Sequence, residues 1–122
     1  MILVDSSIWV DHLRSGDPDL VDLLAATQVL AHPFVIGELA LGNLRQRDSV
    51  LGALRDLPRA TVASDDEVLG FIDRHALAGL GIGYIDAHLL ASTRLSGANL
   101  WTRDKRLHGA ATRIGVAWLS GS

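Results

Sequence analysis

Two acidic residues follow apolar segments that have the length and composition of short buried strands. Asp5 ends the segment 2–5, and Asp104 lies two residues past Thr102, the end of the segment 99–102. In an open parallel sheet, sites form outside the carboxyl ends of the strands. We therefore expect the carboxylates of Asp5 and Asp104 at one edge of a sheet, where they could bind a cation.

Two further acidic residues occupy helical segments with apolar surroundings. Glu38 is the only charged residue of PFVIGELALG, residues 33–42, and a helix that is apolar all round is expected to be buried. Asp86 lies in the first turn of another helix, on the same face as Leu89 and Leu90. A buried carboxylate is costly unless it is paired or bound to metal, and neither residue has a basic partner at helical spacing.

Four converging carboxylates would repel one another and need a cation. Oxygen-only ligation suits Mg²⁺ or Mn²⁺ rather than zinc, and one or two such ions activate water for in-line attack on a phosphodiester. The pattern thus predicts metal-assisted phosphoryl chemistry. Three basic residues flank Asp104 and could contact substrate phosphates, although a solvated helix face explains them equally well: Arg103, Lys105 and Arg106.

Each carboxylate also has an ordinary structural explanation. Asp5 could cap the helix that follows it. Asp86 and Asp104 could be first-turn acids favoured by the helix dipole, with Thr102 as the cap in the second case. Glu38 could pair with an Arg that is distant in sequence. Only the convergence of all four would make a site.

Strands and helices alternate around these residues. Predicted strands cover residues 2–5, 29–31, 61–63, 99–102 and 114–119, and predicted helices cover 6–14, 18–27, 33–41, 45–57, 64–78, 84–96 and 105–111. This alternation favours an α/β fold with a central, mostly parallel sheet flanked by helices on both faces. A length of 122 residues fits a single domain.

Composition excludes several classes of protein. With 48% hydrophobic residues the chain has enough apolar surface to fold, and the longest segment without Asp, Glu, Lys or Arg, residues 23–37, is too short for a membrane span. The opening MILVDSS lacks the basic region of a signal peptide, and there is no Cys, so we expect a cytoplasmic protein. A net charge of −3 argues weakly against a simple electrostatic nucleic-acid binder.

Four segments, in order, resemble the acidic motifs of the PIN-domain ribonucleases, specifically the VapC toxins of bacterial toxin–antitoxin pairs. They are MILVDSSIWVDHLR, PFVIGELALG, YIDAHLLAS and LWTRDKRL. No single segment is specific for this family, but four such segments in this order and at these spacings are. The similarity runs from Met1 to the C-terminus. It implies one PIN domain over residues 1–122.

The resemblance also implies roles for individual residues. Asp5 and Asp86 would be the firmest ligands of Mg²⁺ or Mn²⁺. Glu38 and Asp104 would complete the acidic quartet and help orient the attacking water. The hydroxyls of two residues would support these ligands from behind: Ser6 and Thr102.

The activity that the family implies is endonucleolytic cleavage of RNA, leaving 5′-phosphate and 3′-hydroxyl ends. A homodimer and a cognate VapB-type antitoxin are expected as well. We expect no association with a membrane. We also expect no nucleotide cofactor, since the Gly-spaced run 79–83 departs from the dinucleotide-binding fingerprint. The alternatives are a PIN nuclease for structured DNA or RNA processing, a receiver-like signalling domain, and a non-catalytic binding module on the same scaffold.

Overall fold

The fold was analysed in a computed structural model, which describes residues 1–119. Three short strands and seven helices follow one another in the order β1 (Ile2–Val4), α1 (Ser6–Ser15), α2 (Pro18–Ala25), β2 (Val29–Leu30), α3 (Pro33–Ala40), α4 (Arg47–Arg55), α5 (Asp65–Arg74), α6 (Tyr84–Leu95), β3 (Asn99–Trp101) and α7 (Lys105–Arg113). None of the helices in this part of the chain is long and apolar enough to cross a membrane.

The strands form a parallel sheet in the order β2-β1-β3. In the centre, Leu3 pairs with Leu30 on one side and with Leu100 on the other. All three residues of β1 are buried, and because neighbouring side chains point to opposite faces, both faces of the sheet are covered. The α/β architecture predicted from the sequence is therefore confirmed.

The strand predicted at residues 61–63 is wrong. Its backbone N–H groups bond to helix side chains instead, since Thr61 N–H donates to Ser96 Oγ and Ala63 N–H donates to Ser92 Oγ. The only strand-like pairing near this segment in residues 1–119 is a single β-bridge between Ala31 and Arg59, two residues before the predicted strand. Side-chain acceptors on α6 thus take the place of a neighbouring strand.

The strand predicted at residues 114–119 is reduced to one bridge, between Leu100 and Ala117. Helix α7 continues to Arg113, beyond the predicted end at residue 111, so less chain remains to pair with β3. Two hydrogen bonds make the bridge, from Leu100 N–H to Val116 O and from Trp118 N–H to Leu100 O.

Helices pack on the sheet and on one another around a continuous apolar core. Helix α1 contacts α3, α5 contacts α6, and both α6 and α7 contact β3. The largest side chains with almost no exposed surface come from the strands and from these helices: Leu3, Ile8, Leu20, Leu89, Leu90, Leu100 and Leu107. This packing fixes the carboxyl ends of β1 and β3 next to each other, at the edge of the sheet where Asp5 and Asp104 lie.

Candidate active site

The structure brings the four acidic residues together at the carboxyl edge of the sheet. Asp5 follows β1 and Asp104 precedes α7, while Asp86 lies in the first turn of α6 and Glu38 near the end of α3. They share an open cleft of about 560 Å³. Its other lining residues are Ser6, Ser7, Val10, Asp11 and Arg103.

Asp5 is the most deeply placed of the four, with only 6% of its surface exposed. It occupies the N-cap position of α1 but makes no capping bond through its side chain. Its Oδ2 atom instead accepts hydrogen bonds from Ser7 Oγ and Thr102 Oγ1, each at 2.8 Å. The capping explanation for Asp5 is therefore wrong, and the carboxylate is held by two hydroxyls.

The same two hydroxyls connect Asp5 to the backbone that follows β3. Ser7 Oγ accepts from Arg103 N–H at 3.0 Å, and Thr102 Oγ1 accepts from Asp104 N–H at 3.1 Å. Each hydroxyl thus accepts from that segment and donates to Asp5. Sequence reasoning missed Ser7, although its place in the second position of α1, two residues after the acid, was a usable signal.

Ser6 lies on the other side of the cleft, where its hydroxyl is 3.5 Å from Glu38 Oε1. Glu38 is exposed, so the expectation of a helix buried all round is wrong. Helix α3 buries the side of Val35, Ile36 and Leu39, whereas Glu38 lines the acidic cleft. Glu38 is therefore accessible to a ligand.

The electrostatics of the cleft are those of carboxylates that repel one another. Partial desolvation of its carboxylate in the cleft raises the pKa of Glu38, and the charges of Asp5 and Asp86 raise it further, against a lowering by the Ser6 hydrogen bond. Burial is also the main cause that raises the pKa of Asp86, and the charges of Asp5 and Asp104 raise that pKa further. The hydrogen bond from Gly83 N–H lowers it in part. Such mutual repulsion favours either proton uptake or binding of a cation.

Asp104 is the N-cap of α7, where its Oδ1 atom accepts from Arg106 N–H and Leu107 N–H. The alternative in which Thr102 caps this helix is wrong. Capping occupies one carboxylate oxygen of Asp104 and leaves Oδ2 outside these bonds. The residue is exposed at the cleft, so it can contribute to a ligand site as well as to the helix.

The donor set of the cleft fits a hard divalent cation, because every candidate ligand is an oxygen. Within residues 1–119, no group of three or more His, Asp or Glu side chains is arranged to hold a metal ion by itself. Mg²⁺ needs fewer protein ligands, because it keeps several waters and takes one or two carboxylates together with substrate phosphates. Asp5 lies at the centre of the repulsion in the cleft, since its charge raises the pKa of both Glu38 and Asp86.

The basic residues near Asp104 have different surroundings. The Arg103 guanidinium forms ion pairs with Asp11 at 2.6 Å and Asp17 at 2.9 Å. No spacing in the sequence indicated this pairing. Arg106 lies against Gly81, where an added Cβ would come within 2.7 Å of its guanidinium.

A second, larger cleft of about 990 Å³ adjoins the acidic one and shares Ser6, Val10 and Glu38 with it. Its lining combines apolar side chains with two arginines: Leu13, Leu39, Leu44, Val50, Arg14 and Arg45. The two clefts are continuous, so a chain-like ligand can occupy both.

Comparison with known structures supports this fold. The crystal structure of PAE2754 from Pyrobaculum aerophilum matches with a TM-score of 0.58 at 18% identity, covering 89% of this chain and 78% of that one. The structure titled FitAB bound to IR36 DNA fragment matches with a TM-score of 0.61 at 18% identity, covering 96% of this chain and 92% of that one.

Sequence comparison is more specific. Two curated proteins named Ribonuclease VapC32, from Mycobacterium tuberculosis strains CDC 1551 / Oshkosh and ATCC 25618 / H37Rv, are each 52% identical over 118 residues. The alignments cover 96% of this chain and 95% of each relative. The model of the PIN domain family matches residues 2–112. The chain therefore belongs to the PIN domain family and, within it, to the VapC group.

Proposed function

We propose that this protein is the toxin of a toxin–antitoxin pair and an endoribonuclease that depends on Mg²⁺ or Mn²⁺. The observation that carries the proposal is the convergence of Asp5, Glu38, Asp86 and Asp104 on one open cleft. The 52% identity to proteins named Ribonuclease VapC32 supports RNA as the substrate.

Asp5 and Asp86 hold the cation in this proposal. The bound ion supplies Lewis acidity and lowers the pKa of a coordinated water. Asp5 is positioned by the hydroxyls of Ser7 and Thr102, so it enters the site with its orientation set before substrate binds.

Glu38 and Asp104 complete the site and orient the attacking water. The Glu38 carboxylate is exposed in the cleft, so it can accept the proton that the attacking water loses. Attack of water on phosphorus breaks the bond to the 3′ oxygen and gives a 5′-phosphate and a 3′-hydroxyl. The departing oxygen takes up a proton from solvent.

The larger cleft offers space for the strand that flanks the cleaved bond. Arg14 and Arg45, which line it, can neutralise phosphates, and Lys105 and Arg106 are exposed in the first turn of α7. Arg103 is a weaker candidate for such contacts because two carboxylates already hold its guanidinium. We further propose a homodimer, a VapB-type antitoxin partner and a cytoplasmic location, in keeping with the VapC group.

The test is cleavage of total cellular RNA by antitoxin-free protein in Mg²⁺, Mn²⁺ or EDTA, with mapping of the product ends. We expect discrete cuts with 5′-phosphate ends that require metal and disappear in Asp5→Ala and Asp86→Ala. Asp73→Ala, which removes an exposed carboxylate of α5 that does not line the cleft, is the matched control and should cut normally.

Single-stranded and duplex DNA run in parallel test the principal alternative. Cleavage of DNA without cleavage of RNA would contradict the proposed substrate. Folded protein that cuts neither, in either metal, would favour a non-catalytic binding module.

A further inference from the structure

Three polar side chains outside the cleft meet at the back of helix α6. Tyr84 is the first residue of α6 and His88 the fifth, while Asp65 is the first residue of α5. The Tyr84 hydroxyl donates to Asp65 Oδ1 at 2.7 Å, and His88 Nε2 is 3.1 Å from the same oxygen. One carboxylate of α5 is thus bound by two consecutive turns of α6.

The position of Asp86 relative to these contacts is set by helix geometry. Tyr84 and His88 are four residues apart and share one face of α6, whereas Asp86, midway between them, projects from the opposite face. Asp65 therefore holds the back of the turn whose front carries Asp86 into the cleft. A displacement of this turn would move the Asp86 carboxylate directly.

The start of α6 needs such support because its own residues provide few stabilising contacts. Gly83 occupies the N-cap position and has no capping side chain. It follows a loop in which Gly79 and Gly81 have φ values of 80° and 77°, and glycines carry a high conformational entropy that folding must offset. The bond from Gly83 N–H to Asp86 Oδ2, at 3.1 Å, is the side-chain contact that closes the turn.

His88 is held tightly on the other side. It is 2% exposed, and its Nδ1 atom is buried with no hydrogen-bond partner among residues 1–119. Its ring packs against Tyr84 at 4.7 Å and against Phe34 of α3 at 4.9 Å between centroids. Since Asp65 provides its polar contact, this cluster ties together α5, α6 and the helix that carries Glu38.

We propose that Asp65, Tyr84 and His88 act as positioning residues that fix the first turn of α6 and so place Asp86 for cation binding. The inference rests on the metal site proposed above. It assigns a role in the site to three residues that do not line the cleft. The hydrogen bonds also lower the pKa of Asp65, the one from Tyr84 most and the one from His88 next, so the pairing favours the charged carboxylate.

The test uses Asp65→Ala and Tyr84→Phe, the second of which keeps the ring and removes only the hydroxyl. Asp66→Ala is the matched control, since it removes the same charge from the same helix turn, and the Ser64–Glu67 capping box remains in all three. Mn²⁺ affinity is measured by calorimetry at 25 °C, and protection of the Gly83 amide by hydrogen exchange in metal-free protein.

We expect Asp65→Ala and Tyr84→Phe to weaken Mn²⁺ binding by about tenfold, the lower end of the effect of residues that orient metal ligands. The Gly83 amide should lose protection several-fold in both variants, and Asp66→Ala should match the wild type in both measurements. A merely structural role would lower the melting temperature and leave the Mn²⁺ affinity of the folded protein unchanged.

Unchanged Mn²⁺ affinity in folded Asp65→Ala, with or without a loss of Gly83 protection, would overturn the positioning role while leaving the proposed function intact. If the wild type itself binds no Mn²⁺, the proposed metal site fails, and the positioning role fails with it.

Discussion

Histidine 32 is buried at the start of the helix that carries Glu38, and it should make the protein acid-sensitive. It has no exposed surface. Its Nδ1 atom accepts from Phe34 N–H at 3.0 Å as the N-cap of α3, and its Nε2 atom is 3.1 Å from Ser92 Oγ. Because Nδ1 accepts, Nε2 carries the proton of the neutral ring, and protonation of Nδ1 would break the cap.

The magnitude follows from the pKa of His32, which is lowered from 6.5 to about 4 by burial first and then by the charges of His88 and Arg59. Between these values the unfolded chain binds a proton that the folded protein does not, so stability is complete above pH 6.5 and falls as the pH falls. The free energy of unfolding should drop by about 2 kcal/mol between about pH 7.5 and about pH 5, and by about 3 kcal/mol in total below the folded pKa.

The assay is urea unfolding in EDTA, followed by fluorescence of the buried Trp9 and Trp101, at a series of pH values. His32→Asn is the comparison, because Asn can cap α3 but does not titrate. Other groups cancel in the difference between the two proteins. Identical pH dependence in wild type and His32→Asn would refute the assignment of a buried neutral imidazole.

Three further predictions concern the cleft and its supports. Asp86→Asn removes one of the repelling charges, so the melting temperature of the metal-free protein should rise by about 3 °C, and the stabilisation by Mn²⁺ seen in scanning fluorimetry should disappear. Ser7→Ala removes the bond to Asp5, and we expect a loss of about 1–2 kcal/mol in urea unfolding together with slower RNA cleavage. Gly81→Ala places a Cβ at a φ of 77° and 2.7 Å from the Arg106 guanidinium, which should cost about 1–2 kcal/mol from the backbone conformation alone.

Two control variants match the glycine and serine substitutions. Gly70→Ala lies in α5 with no atom within 4 Å of the added Cβ and should leave stability equal or higher. Ser15→Ala, at the exposed end of α1, should change neither stability nor cleavage. The reasoning would be contradicted by a metal-stabilised Asp86→Asn protein, by full activity in Ser7→Ala, or by equal stability of the two alanine-for-glycine variants.

The four acidic residues were predictable from the sequence because each breaks a local pattern. Asp5 and Asp104 follow apolar strand segments, and Glu38 and Asp86 interrupt apolar helical stretches. The carboxyl ends of parallel strands lie at one edge of a sheet, which brings Asp5 and Asp104 together there. The prediction that Glu38 is buried was wrong because the periodicity of a short, uniformly apolar helix does not reveal which side faces the open cleft.

Contacts between residues distant in sequence were not predictable. The pairs of Arg103 with Asp11 and Asp17 span 92 and 86 positions and depend on how α1, α2 and β3 assemble. The same holds for the contacts of Asp65 with Tyr84 and His88 of α6, which span 19 and 23 positions. The strand predicted at residues 61–63 failed for a related reason, since its partners are serine side chains of a helix.

The most direct test of the central claim is the position of a bound metal in crystals grown with Mn²⁺, located by its anomalous scattering. We expect a peak in the acidic cleft at coordination distance, about 2–2.5 Å, from carboxylate oxygens of both Asp5 and Asp86, and no such peak in Asp86→Ala crystals. A peak held by other residues, or an unchanged peak in the variant, would contradict that claim.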